Sequence, residues 1–465
     1  MTEQEPAFRD SIGTVSKDGK RVWMFPKKVS GKYYQARTIL SFFLLAIMFF
    51  LPLIKVNGRP FILLNVIDRE FILFGLSFGP HDFFLFLLVA ISTVVFIVLF
   101  TAVWGRIFCG WLCPQTVFME MVFRKIEYWI DGDAKDQRKL RAQPMNAKKF
   151  GKRLLKFVIF YTISFLIAHT FLSYIIGFEN VIRIVTSPPS EHWAGFTAMM
   201  VFTFLFFFVF WWFREQACII VCPYGRLQGV LLDHNSLAVT YDFSRGEPRG
   251  KIKKGTERSE GDCIDCHLCV DVCPTGIDIR DGIQLECVNC TACMDVCDSV
   301  MEKVEKPKGL IRYASLNNIK ERLPFRFTGR IMGYTILLVV LVSVTGILLA
   351  TRTMVEAQIL RQPGSTYNLI DSTYITNFYT IQVTNKTFDT LDLEIRLKDI
   401  KGEIKFVKED KKVMPQKTFD GNFILILNRA DLKIMNTPIY FTVYADGKEI
   451  ETKKTSFMSD RQNTQ

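Results

Sequence analysis

A chain of 465 residues with 14% aromatic residues, a net charge of +12 and a positive mean hydropathy has room for several domains, and its long apolar runs mark a membrane protein. The basic excess flanks hydrophobic spans instead of forming a face interleaved with exposed aromatics, which argues against a nucleic-acid partner. None of the twelve cysteines lies in the C-terminal hundred residues, which fits thiolate centres in a reducing compartment better than a disulfide framework.

Residues 1–37 are polar and basic, with no apolar core of a cleavable signal peptide. Lys17, Lys20, Arg21, Lys27, Lys28, Lys32 and Arg37 precede the first apolar run, so the positive-inside rule puts this end in the cytoplasm. A first span is expected over Thr38–Val56. Residues 57–82 carry Asn65, Asp68, Arg69 and Glu70, too many interruptions for a crossing; they read as an external hairpin or interfacial segment.

The second span, Phe83–Trp104, ends in Arg106, Cys109, Cys113 and Pro114. The stretch from there to Ile130 has Phe118, Met121, Val122 and Trp129 at helical spacing, which predicts an amphipathic helix along the inner membrane surface. A basic loop with Arg138, Lys139, Arg141, Lys148, Lys149, Lys152, Arg153 and Lys156 follows; it reads as a topology determinant attractive to anionic lipid. The third span is expected over Leu154–Gly177, then an external loop with Pro188, Pro189 and His192, then the fourth span, Ala194–Phe213. That span ends in Arg214, Glu215, Cys218, Cys222 and Pro223. A span pair closed by Cys-x-x-x-Cys-Pro has thus occurred twice, which reads as an internal duplication.

On a helix, residues four apart share a face, so each pair is expected to grip one ion with two sulfurs, and the proline to restart the chain at a new helix. If the halves pack about a pseudo-axis, Cys109, Cys113, Cys218 and Cys222 converge into one all-sulfur site for copper or a third Fe–S cluster, with zinc or a reversible dithiol left open. The plain alternative is four small buried apolar residues. Thiolates beside Arg106 and Arg214 are candidates for a lowered pKa. His169, inside the third span, has no second intramembrane histidine to make a haem pair and reads as hydrogen-bonded to a neighbouring helix.

A charged linker, Arg245–Glu260, leads to the densest cysteine stretch: Cys263, Cys266, Cys269 and Cys273, then Cys287, Cys290, Cys293 and Cys297. Two runs of C-x-x-C-x-x-C-x-x-x-C are the bacterial ferredoxin spacing for two [4Fe–4S] clusters, in which the fourth cysteine serves the other cube. The swap predicts Cys263, Cys266, Cys269 and Cys297 on one cluster, and Cys287, Cys290, Cys293 and Cys273 on the other. A structural zinc site would pair two knuckles across a longer gap. Pro274 after Cys273 has no counterpart after Cys297.

The fifth span is expected over Ile331–Ala350. From Pro363 short alternating strands take over: Phe378–Val383, Leu391–Leu397, Glu403–Val407, Phe423–Leu427 and Ile439–Tyr444, the last followed by an Asp446-Gly447 turn. They predict an immunoglobulin-like β-sandwich held by packing alone. Asn385-Lys386-Thr387 matches a glycosylation sequon, a pattern of little weight. The expected layout is a basic N-terminus at 1–37, a four-span domain at 38–223, a cytoplasmic 2[4Fe–4S] module with linkers at 224–330, a fifth helix at 331–350 and an Ig-like domain at 363–465.

With these pieces placed, the chain resembles the cytochrome c oxidase accessory proteins of the CcoG (FixG/RdxA) family over nearly its whole length. The carriers are Cys109-Gly110-Trp111-Leu112-Cys113-Pro114, Cys218-Ile219-Ile220-Val221-Cys222-Pro223, the tandem runs and the C-terminal sandwich. The membrane half alone also resembles NapH-type polyferredoxins, which oxidise quinol. The resemblance implies a bacterial inner-membrane protein with a periplasmic C-terminal domain. It also implies help in assembling cbb3-type oxidase through reduction of Cu(II) to Cu(I), a cupric reductase activity. Implied partners are oxidase assembly factors, copper chaperones or transporters, and an electron donor that the sequence leaves unnamed. A redox-sensing assembly scaffold is the alternative of another class.

Overall fold

The computed structural model describes residues 13–460 apart from 17, 57, 67–69, 80–81, 252–260, 323–327, 363, 365, 408–410 and 433. The expectations placed on Lys17, Asp68, Arg69, Pro363 and most of the 245–260 linker lie outside the described residues. Two compact units result: Leu87–Ser343 with the chain up to Lys55, and Val56–Phe86 with Val344 onward.

Among the described residues, five helices are long and apolar enough to cross a membrane: Lys32–Leu53, Phe83–Trp104, Ala147–Ile176, Trp193–Phe213 and Gly329–Ala350. The first begins six residues before the expected Thr38. Asp295, far away in sequence, accepts from the backbone N–H of Tyr33 (3.1 Å) and Tyr34 (2.7 Å) and so caps the helix in place of a local residue. Gly31 just before it admits that carboxylate, since a Cβ there would lie 2.3 Å from Asp295 Cγ.

Two expectations about the segment between the second and third spans are corrected. The supposed surface helix is a packed element: Pro114–Thr116 and Arg124–Ile130 are α-helical around a π-helical Val117–Phe123. Val117, Phe118, Met119, Met121 and Phe123 are all buried, and Phe123 stacks on Phe210 of the fourth span at 4.6 Å. Only Trp129, 74% exposed, keeps the predicted surface position. The supposed basic loop is largely helix, Ala134–Ala142 and the first turns of Ala147–Ile176. Asp133 and Asn146 cap the two starts through their side chains, and alternating lysines and arginines cost a helix little. A further short helix, Phe178–Thr186, precedes the loop with Pro188 and Pro189.

In the second unit, strands Ile62–Asn65, Glu70–Leu73 and Leu76–Phe78 form an antiparallel sheet, so the interrupted segment after the first span is made of hairpins. It is joined to the C-terminal domain of the same unit through buried Asp82, which pairs with Arg352 (2.7 Å) and Lys386 (3.2 Å). Four of the long apolar helices separate these two stretches in the chain.

The C-terminal domain is two antiparallel sheets. One runs Gly402–Phe406, Thr418–Asn428, Tyr374–Asn385, Val355–Arg361; the other Lys412–Val413, Leu391–Lys398, Asn436–Ala445, Lys448–Met458. The five expected strands are present. The sandwich opens at Val355, ahead of the expected 363, because Val355, Ala357 and Ile359 alternate into the core. In place of a disulfide, Tyr379, Phe423 and Phe441 meet with centroids 5.2–5.4 Å apart. Asp446 and Gly447 both take positive φ, 47° and 76°, in the hairpin between the last two strands. Asn385 of the sequon is fully buried and donates to the carbonyls of Asp389, Val413 and Met414, so its amide is structural.

Candidate cysteine centres

In the tandem runs the backbone repeats as faithfully as the sequence. Asp265 and His267 flank the second cysteine of the first run with φ of 51° and 57°; Asn289 and Thr291 flank that of the second with 54° and 64°. Left-handed conformation at non-glycine residues costs roughly 1–3 kcal/mol each and persists where the surroundings enforce it. Here it turns three sulfurs toward one centre. Each third cysteine then enters a helix, Leu268–Asp271 or Ala292–Lys303. Cys263, Cys266, Cys269 and Cys297 line one cavity. Cys273, Cys287, Cys290 and Cys293 line another, with Cys269 on the wall of both. The fourth cysteine of each run thus reaches the cavity of the other run.

Burial pushes the thiols of Cys269, Cys287 and Cys297 up to about 12 and that of Cys290 up to about 11. The nearby Cys290 and Cys287 add to burial in raising Cys293. Buried all-sulfur sets of this kind suit a centre that takes the sulfurs as thiolates, as Fe–S clusters do. Cys266 is the exposed member of the set.

The two membrane-edge motifs are superimposable in their hydrogen bonding. Gly105 and Arg214, each four residues before the first cysteine, have φ of 58° and 55°. Cys109 N–H donates to Arg106 and Cys218 N–H to Glu215; Cys113 N–H donates to Phe108 and Cys222 N–H to Ala217, both at 2.9 Å. This supports the duplication but corrects the expected helical i, i+4 grip. The helical turn ends before the second cysteine, which is extended in both copies, at ψ 124° for Cys113 and 108° for Cys222. Pro114 and Pro223 then open new helices, as predicted.

The four thiols come together. Burial raises Cys109 to about 11, with the charges of Cys113 and Cys222 also felt there. Cys218 rises to about 12 through burial, then through Cys113, Cys109 and Cys222. The expected lowering by the motif arginines does not prevail: Arg106 acts on Cys109 but burial outweighs it. Each half also serves the first cysteine of the other, Thr116 by a hydrogen bond to Cys218 and Gln228 at 2.9 Å from Cys109 Sγ. Among the described residues no three His, Cys, Asp or Glu side chains are grouped closely enough to hold a single metal ion.

This site adjoins the second cavity. Cys109, Val272, Val288, Cys290 and Ala292 form one buried apolar group. Arg37 of the first span, 4% exposed, donates from Nε to Gly110 O (3.0 Å) and from Nη1 to Cys290 O (2.9 Å). A Cβ on Gly110 would lie 2.4 Å from Val288 O, so the two backbones touch only because residue 110 is glycine. Trp111 Nε1 donates to the Tyr313 hydroxyl, which donates to Asn289 O.

Beneath the second motif lies a buried ionic network. Arg214 pairs bidentately with Glu127 (2.7 and 2.8 Å); Lys156 reaches Glu127 (2.7 Å) and Asp131 (3.0 Å); Arg124 and Arg21 reach Glu215 at 3.7 and 3.4 Å. Burial works against the Glu127 charge, but Arg214 and Lys156 outweigh it and hold the carboxyl well below the usual range. The network holds the strained turn at Arg214, where the first copy uses a glycine.

Sequence reasoning missed Arg37, Gln228, Thr116 and Asp295. The first is visible only as a basic residue before a span, and the others as ordinary polar residues. His169 bonds within its own helix, Nδ1 lying 2.6 Å from Phe165 O, instead of to the neighbouring helix. His267 lies between Arg280 and Asp265 beside the first cavity.

Comparison with known proteins agrees with this layout. Residues 213–316 match a family described as a 4Fe-4S dicluster domain, residues 86–133 a 4Fe-4S binding domain, and residues 345–460 the IG-like fold at the C-terminus of FixG. The first two matches take in all twelve cysteines. Protein RdxB of Cereibacter sphaeroides is 34% identical over 401 residues, covering 82% of this chain and 83% of that protein. Protein RdxA of the same organism is 36% identical over 304 residues, 64% of each chain. Nitrogen fixation protein FixG of Rhizobium meliloti is 33% identical over 323 residues, 67% of this chain and 60% of that protein. The chain is a multi-pass membrane protein of the RdxA/RdxB/FixG family, built for iron–sulfur electron transfer.

Proposed function

We propose that Cys263, Cys266, Cys269 and Cys297 hold one [4Fe–4S] cluster and Cys273, Cys287, Cys290 and Cys293 a second, with Cys109, Cys113, Cys218 and Cys222 as the place where electrons leave. Bound in these sites, the clusters supply one-electron transfer. The observation that carries the reading is the Arg37 bridge between Gly110 and Cys290, which fixes the membrane-edge loop against the inner cavity. Exposed Cys266 marks the side where a donor meets the protein, and buried Cys290 the side facing Cys109. Asp295, two residues from Cys293, ties the same module to the first span.

The four membrane-edge cysteines hold a third [4Fe–4S] cluster in this reading. Their charges act on one another, yet no three are close enough to grip one ion. The eight ferredoxin cysteines behave the same way, as ligands of a cube several atoms wide do. The 4Fe-4S match over residues 86–133 supports it.

The reaction served is reduction of Cu(II) to Cu(I), one electron per ion, in aid of cbb3-type oxidase assembly. Copper is the substrate here and takes its electron from the membrane-edge centre that Cys109, Cys113, Cys218 and Cys222 would hold. The resemblance to the CcoG-type accessory proteins motivates this reading, as does an all-sulfur site at the end of a redox chain. It makes the protein a cupric reductase of the bacterial inner membrane, with N-terminus and ferredoxin module cytoplasmic and the sandwich periplasmic. Its partners are oxidase assembly factors, copper chaperones or transporters, and an electron donor.

The test is anaerobic mixing of reduced full-length protein with Cu(II) and a Cu(I)-specific chelator. One Cu(I) should form per electron lost from the protein. Reoxidation without Cu(I), or no reoxidation, contradicts the reductase reading. Reoxidation by a quinone analogue as fast as by copper would favour a NapH-like role.

A further inference from the structure

Gln228 has no exposed surface. It lies on the helix Pro223–Leu231 that the second motif opens, yet its side chain reaches across to the first motif, with Oε1 2.9 Å from Cys109 Sγ. Its Nε2 is 3.2 Å from Thr101 Oγ1 and 2.9 Å from the Tyr224 hydroxyl. A free Cys109 thiol donates to Oε1 in this arrangement. A ligating Cys109 has no proton to give, and a carbonyl oxygen facing its sulfur would repel it.

The surroundings allow a second arrangement with the same number of hydrogen bonds. Turning the amide by half a revolution points Nε2 at the sulfur and Oε1 at two hydroxyls. Thr101 and Tyr224 each carry a proton to donate, and each also has lone pairs to accept with, so neither loses its partner in either state. A hydrogen-bond donor buried beside a ligand sulfur withdraws charge from it and stabilises the reduced centre, which raises the potential.

We propose that Gln228 is a positioning residue whose amide, held by the two ambivalent hydroxyls of Thr101 and Tyr224, turns to donate to the Cys109 sulfur once Cys109 is a ligand. It thereby sets the potential of the membrane-edge centre above that of the same centre without the donor. This rests on the reading that Cys109, Cys113, Cys218 and Cys222 ligate a cluster.

The experiment is an anaerobic redox titration of the full-length protein followed by EPR, with iron counted in each sample. Three variants are compared with wild type. Gln228→Met keeps the volume and removes the donor. Gln228→Leu removes both the donor and the acceptor and adds no charge. Tyr224→Phe removes one of the two holding groups and serves if the buried Gln228 variants fail to accumulate. Expected in both Gln228 variants is wild-type iron, unmoved ferredoxin midpoints, and a fall in the membrane-edge midpoint of at least a tenfold change in the reduced-to-oxidised ratio, about 59 mV for a one-electron couple. Tyr224→Phe should move it the same way by less. A membrane-edge midpoint unchanged at full iron overturns the role of Gln228 and leaves the cluster reading standing. A wild-type iron content equal to that of a protein with Cys109, Cys113, Cys218 and Cys222 all replaced by serine overturns both.

Discussion

The carbonyl oxygens of Gly110 and Cys290, 180 positions apart in the chain, accept from the same buried guanidinium. One residue lies between the two cysteines of a membrane-edge motif and the other is a ferredoxin cysteine. Arg37→Met keeps the stem of the side chain and leaves both carbonyls without their donor. At about 1–3 kcal/mol for each unmet buried group, a loss of about 3 kcal/mol is expected in thermal unfolding. Iron bound to the ferredoxin cysteines should stay while electron delivery to the membrane-edge site slows, as read by stopped-flow reoxidation. Unchanged delivery at wild-type iron content would separate the bridge from the electron route.

Gly110→Ala makes the same point from the other face. A methyl group there must displace Val288 O, now 2.4 Å from the ideal Cβ position. The expected outcome is a protein with wild-type iron, slowed electron delivery, and faster amide exchange around Val288 and Asn289. Wild-type exchange and delivery would mean that the two backbones separate without consequence.

Asp295 caps the first span from outside its own sequence neighbourhood. Asp295→Ala should cost about 1 kcal/mol, the usual worth of an N-cap, and Asp295→Asn much less, because asparagine caps about as well. The check is the melting temperature followed by cluster absorbance. An equal loss in both variants would point to charge instead of capping.

Glu127 gives a pH dependence with a definite sign. Its folded-state pKa lies well below the usual carboxylate range, with Arg214 and Lys156 outweighing burial. The stability it contributes is therefore complete above the unfolded value of about 4.3 and is lost progressively as pH falls below that, toward the folded value. Glu127→Gln leaves buried cations unpaired and should cost about 3–5 kcal/mol at neutral pH. Its stability should then vary less than wild type between about pH 4.3 and more acid conditions. Parallel acid profiles would remove Glu127 from that account.

The buried thiols predict the pH dependence of metal uptake. In metal-free protein burial pushes Cys109 up to about 11 and Cys218 up to about 12, above the ordinary value of about 8.5. Ligation must displace their protons, so iron uptake at these cysteines should release protons and strengthen from pH 6 to pH 8. The raised values also mean that the metal-free fold is favoured by these thiols below about pH 8.5 and loses that support as pH rises toward 11. Proton release measured during anaerobic reconstitution checks the first statement. Uptake independent of pH contradicts it.

Much of this architecture is legible in local sequence. The cysteine spacing groups the eight cysteines as the two cavities do, apolar length gives the five long apolar helices, and alternation gives the strands; the Asp446-Gly447 turn follows from its residue types. What escapes is whatever depends on distant partners. The start of the first span is hidden because its cap is Asp295, 262 residues from Tyr33. The segment Val117–Phe123 carries an amphipathic signal that fits a membrane surface as well as a core, and only the fourth span, through Phe210, decides between them. The Cys-x-x-x-Cys spacing suggests a helical face, but a proline after the second cysteine pulls that residue into an extended conformation. Gln228 gives no sequence signal at all, since its meaning comes from packing against the other half of the duplication.

The central claim is that the four membrane-edge cysteines are the third redox centre of one chain of centres. It is tested most directly by anaerobic iron and sulfide quantification on wild type and on the variant with Cys109, Cys113, Cys218 and Cys222 all changed to serine. The prediction is a loss of about four irons and four sulfides, one cube, with the two ferredoxin signals retained. Equal iron and sulfide in the two proteins would contradict it.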